Sequence, residues 1–96
     1  MEEKDVIAAL AALAQEVRLR AFRLLVAAGP EGLAAGQIAE ELAVAPNTLS
    51  FHLSHLRAAG LIDSRRAGRS QIYSANYAAM AALVSYLSDN CCSRCP

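Results

Sequence analysis

Between Ala35 and Ser74 the hydrophobic period switches from helical to strand-like, and that order narrows the folds open to this chain. A short segment from about Ala35 to Ala43 puts Ile38, Ala39 and Leu42 on one side of a helix. Pro46 then fits the first turn of a second helix, where its missing N–H costs nothing. That helix sets Leu49, Leu53 and Leu56 at i, i+4, i+7, and Gly60 is its natural stop. Leu61 to Arg66 and Ser70 to Ser74 follow as short strand-like runs around Ala67-Gly68, a hairpin turn signal.

The flanking segments are helical. Residues 5–14 carry Val6, Ile7, Leu10 and Leu13 as a stripe, with a mostly alanine face opposite, which suits a helix covered on both sides at a subunit interface. Glu16 to Ala28 form a second helix, with Val17, Leu24 and Leu25 expected inward and Arg18, Arg20 and Arg23 outward. Gly29-Pro30 ends it and Glu31-Gly32 prolongs the turn. Tyr77 to about Ser88 form the last helix, with Met80, Leu83, Val84 and Leu87 on one stripe. The order H-H-H-H-E-E-H, with two short helices joined by a tight turn and followed by a hairpin, specifies a mainly α winged helix-turn-helix. Residues 1–90 make one domain and residues 91–96 a cysteine-containing tail. At 96 residues a single core is near its comfortable minimum, so a partner chain, most simply a second copy, would add stability.

Net charge is zero, but the charges are segregated. Lys4, Arg18, Arg20 and Arg23 face seven acidic residues within 1–43. From 44 to 76 Arg57, Arg65, Arg66 and Arg69, with His52 and His55, meet only Asp63. A local basic patch, and not the total, decides phosphate binding. The start MEEKDV is acidic and lacks the look of a secretory signal, and the longest apolar stretch, Val6 to Ala14, is too short to span a bilayer. A cytoplasmic protein with no membrane partner is expected. In that reducing compartment, clustered cysteines bind metals or sense redox state more often than they form structural disulfides.

With Leu49, Leu53 and Leu56 inward, the second helix of the pair turns Asn47, Thr48, Phe51, Ser54 and His55 outward, with Ser50 at the flank. Asn pairs bidentately with adenine, and Ser and Thr reach bases or phosphates. The helix carries no carboxylate to repel phosphate. Phe51 either touches a thymine methyl or packs against the neighbouring turn. His52 projects toward the core side and is expected to hydrogen-bond within the domain. Arg65, Arg66 and Arg69 gather at the hairpin, where a wing reaches backbone phosphate or a minor groove. A solvated basic turn is the plain alternative, and the acid-free helix beside it favours double-stranded DNA.

The run PNTLSFHLSHLRAAGLIDSRRAGRSQIYS resembles the ArsR (arsenic-repressor) family of winged-helix metalloregulators. The resemblance lies in Leu49, Ser50, His52, Leu53 and Leu56, the helix end AAGLI, and RRAGR followed by Tyr73. Upstream, LAQEVRLRAFRLLVAAGP is similar to the family's second helix, with Arg18 and Leu19 near its start. The resemblance implies a homodimer built on the first and last helices, operator DNA as partner, and repression of an ion-resistance or efflux operon. Phe51 departs from the polar residue usual at its position. Two sensor sites usual in the family are missing: GQIAEEL has no Cys-x-Cys, and NYAAMAALVSYLSDN has no Asp-x-His pair.

All three cysteines lie in NCCSRCP, as Cys91, Cys92 and Cys95. Trivalent arsenic bonds three thiolates in a pyramid and needs no fourth ligand, whereas zinc would draw on Asp89 or Asn90. The trio therefore points to As(III) or Sb(III) as inducer, and resembles arsenic sensors of the family whose thiols have moved to the end of the last helix. In a continuing helix Cys91 and Cys92 would point about 100° apart. Pro96 disfavours helix at Cys95, so the tail can leave the helix and close on an ion. Other soft metals and thiol oxidation are the alternative signals. A soft-metal carrier or interaction module without operator binding is the alternative class. With the thiols in a terminal tail and no Gly-rich phosphate loop, catalysis has no support.

Overall fold

The computed structural model describes residues 1–94. Helix α1 (Glu3–Leu13) starts where the Asp5 carboxylate accepts a hydrogen bond from the Glu2 N–H at 3.3 Å. Helix α2 (Glu16–Ala28) starts where the Gln15 side-chain oxygen accepts from the Arg18 N–H at 2.9 Å. Both contacts satisfy amides that a helix start leaves without partners. A short strand β1 (Leu33–Ala34) leads into α3 (Ala35–Leu42). Ala43, in the left-handed region at φ 53°, turns the chain through Val44 and Ala45 into α4 (Pro46–Ala58). Strands β2 (Ile62–Ala67) and β3 (Ser70–Ala75) form the wing, and α5 (Tyr77–Ser88) completes the fold.

The sheet is antiparallel in the order β1-β3-β2, with Tyr73 of the central strand opposite Leu33 on one side and Ser64 on the other. Strand β1 was not expected: its two residues carry no alternation. It depends on Gly32, at φ +74°, where a Cβ would run into the Tyr73 carbonyl. The hairpin turn is Gly68-Arg69, one residue beyond the expected Ala67-Gly68, because Ala67 still pairs with Ser70. Gly68 supplies the positive φ of 62° at the first turn position, the requirement of a II′ hairpin.

The core joins Leu25 of α2, Ile38 of α3, Leu49, Leu53 and Leu56 of α4, Leu61 just before the wing and Ile62 at the start of β2. Phe22 and Ala21 are buried on α2, while Val17 and Leu24 are only half-buried, so the inward face of that helix is rotated from the one expected. Helix α1 begins at Glu3 and buries Val6, Ala9 and Ala12, leaving Ile7 and Leu10 61% and 42% exposed. The alanines let α1 lie close against the domain, and its larger side chains turn away. On α5 Leu83 is buried while Val84 and Leu87 stay 60% and 59% exposed.

Asn76 joins wing to last helix. Its side-chain oxygen accepts from the Ala79 N–H at 3.0 Å, and its amide donates to the Gly60 carbonyl at 3.1 Å. Tyr77 donates its hydroxyl to the Val26 carbonyl at 2.9 Å, fixing the start of α5 to the end of α2. No helix among the described residues is long and apolar enough to cross a membrane.

Candidate nucleic-acid interface and thiol tail

Helix α4 presents the expected polar face. With Leu49, Leu53 and Leu56 at 1% exposure or less, Asn47, Thr48, Ser50, Phe51, Ser54 and His55 are all exposed. Phe51 is 60% exposed and sits edge-on to His55, with ring centroids 4.6 Å apart. It packs on the next turn of its own helix and still shows most of its ring to solvent. The Ser54 hydroxyl donates to the Phe51 carbonyl at 2.6 Å, so its hydrogen is committed within the helix and its lone pairs remain open.

The arginines of the wing divide. Arg65 donates from Nη2 to the Glu31 carbonyl at 2.9 Å, which ties the wing to the turn after α2. Arg66 and Arg69 are exposed toward the hairpin end. Among the described residues Arg66 and Arg69 have no side-chain partner, whereas Arg65 is partly engaged inside the domain.

Behind α4, Arg18 is half-buried and not outward as the helical pattern suggested. Its Nε donates to the Ala12 carbonyl at 2.7 Å, and its Nη1 lies 3.3 Å from His52 Nδ1. The guanidinium thereby links the end of α1 to α4. His52 has the expected intradomain partner. Burial pushes its pKa below the usual 6.5, and the Arg18 charge and then the His55 charge push it the same way. A neutral ring can take the Arg18 N–H as an acceptor. The role of Arg18 was missed because a charged residue in an i, i+3, i+4 pattern reads as surface. Its place beside His52 comes from the packing of α2 against α4, which the pattern of either helix alone does not give.

Ile7 and Leu10 of α1, with Val84 and Leu87 of α5, form an exposed apolar surface on two helices that pack against each other. Such a patch on a small domain marks an interaction face.

The tail leaves α5 at Asp89, and Asn90 and Cys92 adopt left-handed φ values of 59° and 61°. Short turns follow, with the Cys91 N–H on the Ser88 carbonyl and the Ser93 N–H on the Asn90 carbonyl, both at 3.0 Å. The helix does not continue, so the divergence of about 100° that a continuing helix would impose on Cys91 and Cys92 does not arise. Their Sγ atoms are 3.7 Å apart, and both residues are exposed. Cys95, the third proposed ligand, lies outside the described residues. Within them, no three His, Cys, Asp or Glu side chains gather as a metal site.

Residues 13–65 match the family model of a helix-turn-helix domain. An ArsR-like transcriptional regulator from Rhodococcus sp. RHA1 has a similar structure, with a TM-score of 0.77 at 28% identity over 88% of this chain and 77% of that one. HlyU from Vibrio cholerae N16961 gives 0.73 at 26% identity over 96% and 99%. The homodimeric winged helix-turn-helix DNA-binding domain of a possible ArsR-family regulator from Mycobacterium bovis gives 0.70 at 32% identity over 91% and 81%. No curated protein sequence matches the chain.

Proposed function

This chain belongs to the ArsR-like winged helix-turn-helix transcriptional regulators, whose helix-turn-helix domain model matches more than half of it, and from that premise we propose that it is a metalloid-responsive repressor. A homodimer, formed through the apolar faces of α1 and α5, sets two α4 helices against double-stranded operator DNA. Its two-fold symmetry calls for a pseudo-palindrome with half-sites about one helical turn apart. Asn47, Thr48, Ser50, Phe51, Ser54 and His55 meet the major groove, and the wing arginines Arg66 and Arg69 meet the backbone. Arg65 joins them only by giving up its bond to Glu31. A regulator of this kind works in the cytoplasm, beside the DNA it controls.

The inducer is arsenite or antimonite, bound by Cys91, Cys92 and Cys95. Trihydroxy arsenic exchanges three hydroxyls for three thiol sulfurs and releases three waters, with no change of oxidation state. The observation that carries this reading is the 3.7 Å approach of two exposed sulfurs just beyond α5. Two thiolates about 2.3 Å from one ion are about 3.5 Å apart in a trivalent pyramid and about 3.8 Å apart in a tetrahedron, so the pair needs little movement to share a soft ion. Closing the tail at the end of a dimer helix would change the spacing of the α4 pair, and a coupling of ~1–3 kcal/mol is enough to empty an operator.

Electrophoretic mobility shift with a duplex from the protein's own upstream region tests this. Arsenite should release the wild-type protein and leave the Cys91/Cys92/Cys95→Ser variant bound. Release of that variant by arsenite would contradict the site. The same sulfur pair supports a second signal, thiol oxidation, although a bridge between adjacent cysteines is strained. Release by peroxide without any ion would favour it.

A further inference from the structure

A cleft of about 410 Å³ runs between α4 and the wing, lined by Ser50, Ser54, Arg57 and Ala58 of α4 and by Tyr73 of β3. Ser50, Ser54 and Arg57 are at i, i+4, i+7, so they form one stripe along the helix. Tyr73 is carried by the central strand and has ladder partners on both sides, which gives that wall a rigid backbone. Among the described residues no carboxylate lines the cleft. A cleft of similar size on α3 has the opposite character, being lined by Gln37, Glu40 and Glu41. Arg57 is exposed and belongs to neither ion pair of the described residues, which join Lys4 to Glu2 and Arg20 to Glu16.

We infer that this cleft is a phosphate site for the DNA strand that passes between recognition helix and wing, with Arg57 as its charged contact and Tyr73 as a hydroxyl donor. The inference rests on the DNA-binding reading and adds two residues to it. When a helix occupies a major groove and a wing reaches the adjacent minor groove, the ridge between them is one phosphodiester strand. That strand has to lie in the space between α4 and the hairpin. A tyrosine hydroxyl and a guanidinium are donors that protein–DNA contacts use on phosphate oxygens. Contacts of this kind fix position and carry no base preference.

The test therefore needs no operator. Fluorescence anisotropy of a mixed-sequence duplex with the full chain, repeated across salt concentrations, gives the slope of log affinity against log salt. Arg57→Gln should lower that slope by about 0.9 per bound protomer, and Arg57→Lys should restore it. Tyr73→Phe should weaken binding several-fold without changing the slope. Asn47→Ala, a base-facing change, should leave the mixed-sequence slope unaltered. An Arg57→Gln protein with wild-type slope and affinity, folded by thermal unfolding, would overturn the site while leaving DNA binding in place. A wild-type protein without salt-dependent binding would overturn both.

Discussion

The α3–α4–wing region and the α1–α5 layer use their apolar residues in opposite ways. In the first, the large side chains Ile38, Leu49, Leu53, Leu56, Leu61 and Ile62 are buried and the polar groups of α4 face out. In the second, α1 turns Ala9 and Ala12 inward while Ile7, Leu10, Val84 and Leu87 remain exposed. The reading region closes its own core within one chain. The α1–α5 layer is finished on its inner side and leaves an apolar outer side that only another surface can cover. The tail that carries Cys91 and Cys92 grows from this second layer, and Arg18 is the side chain that ties the layer to α4. The thiol pair and the polar face of α4 thus lie in regions with different packing, which share one core through Val6, Ala9, Ala12 and Leu83.

The contrast can be broken most forcefully from the reading side. Leu53→Ala removes a fully buried side chain and should cost about 2–5 kcal/mol, out of a total near 5–15 kcal/mol for such domains. Urea unfolding should show the loss, together with loss of DNA binding. On the other side, Leu10→Glu combined with Val84→Asp alters only exposed positions. It should leave helix content intact by circular dichroism, yield a monomer by sedimentation, and weaken operator binding more than about tenfold, because two linked half-sites become independent. A stable dimer in that variant would refute the α1–α5 face as the interface.

Arg18→Gln probes the link between the regions. It leaves the Ala12 carbonyl without its guanidinium donor and should cost about 1–3 kcal/mol in urea unfolding, less than Leu53→Ala. The pH response of His52 is a smaller effect. Burial, with the Arg18 and His55 charges, lowers its pKa below 6.5. The folded state thus resists a proton that the unfolded chain accepts. The stability from this group is present above the ordinary value and is lost as pH falls through and below it. The urea midpoint should drop between roughly pH 7.5 and roughly pH 5.5, and His52→Gln should flatten part of that drop.

How much of this was legible in the sequence follows from the same contrast. The spacing of Leu49, Leu53 and Leu56 announced both the core face of α4 and its polar face, because large buried residues and exposed polar ones leave a clear period. On α1 the period was equally clear, but periodicity does not say whether an apolar stripe meets its own domain or another chain. The alanine face took the inner position. Strand β1 was too short to show a pattern, and Gly32, read as part of a turn, was the glycine that lets β1 lie against Tyr73. The clustering of the cysteines was plain in the sequence, while the approach of Cys91 to Cys92 depends on left-handed turns at Asn90 and Cys92 that no spacing announces.

The claim that ties the two regions together is that thiol ligation and operator binding are coupled, and linkage makes such coupling reciprocal. The most direct measurement is the arsenite affinity of the protein, free and saturated with operator duplex. The account predicts that operator weakens arsenite binding by the same factor by which arsenite weakens operator binding, about 5- to 150-fold. An arsenite affinity that is identical with and without DNA would contradict it.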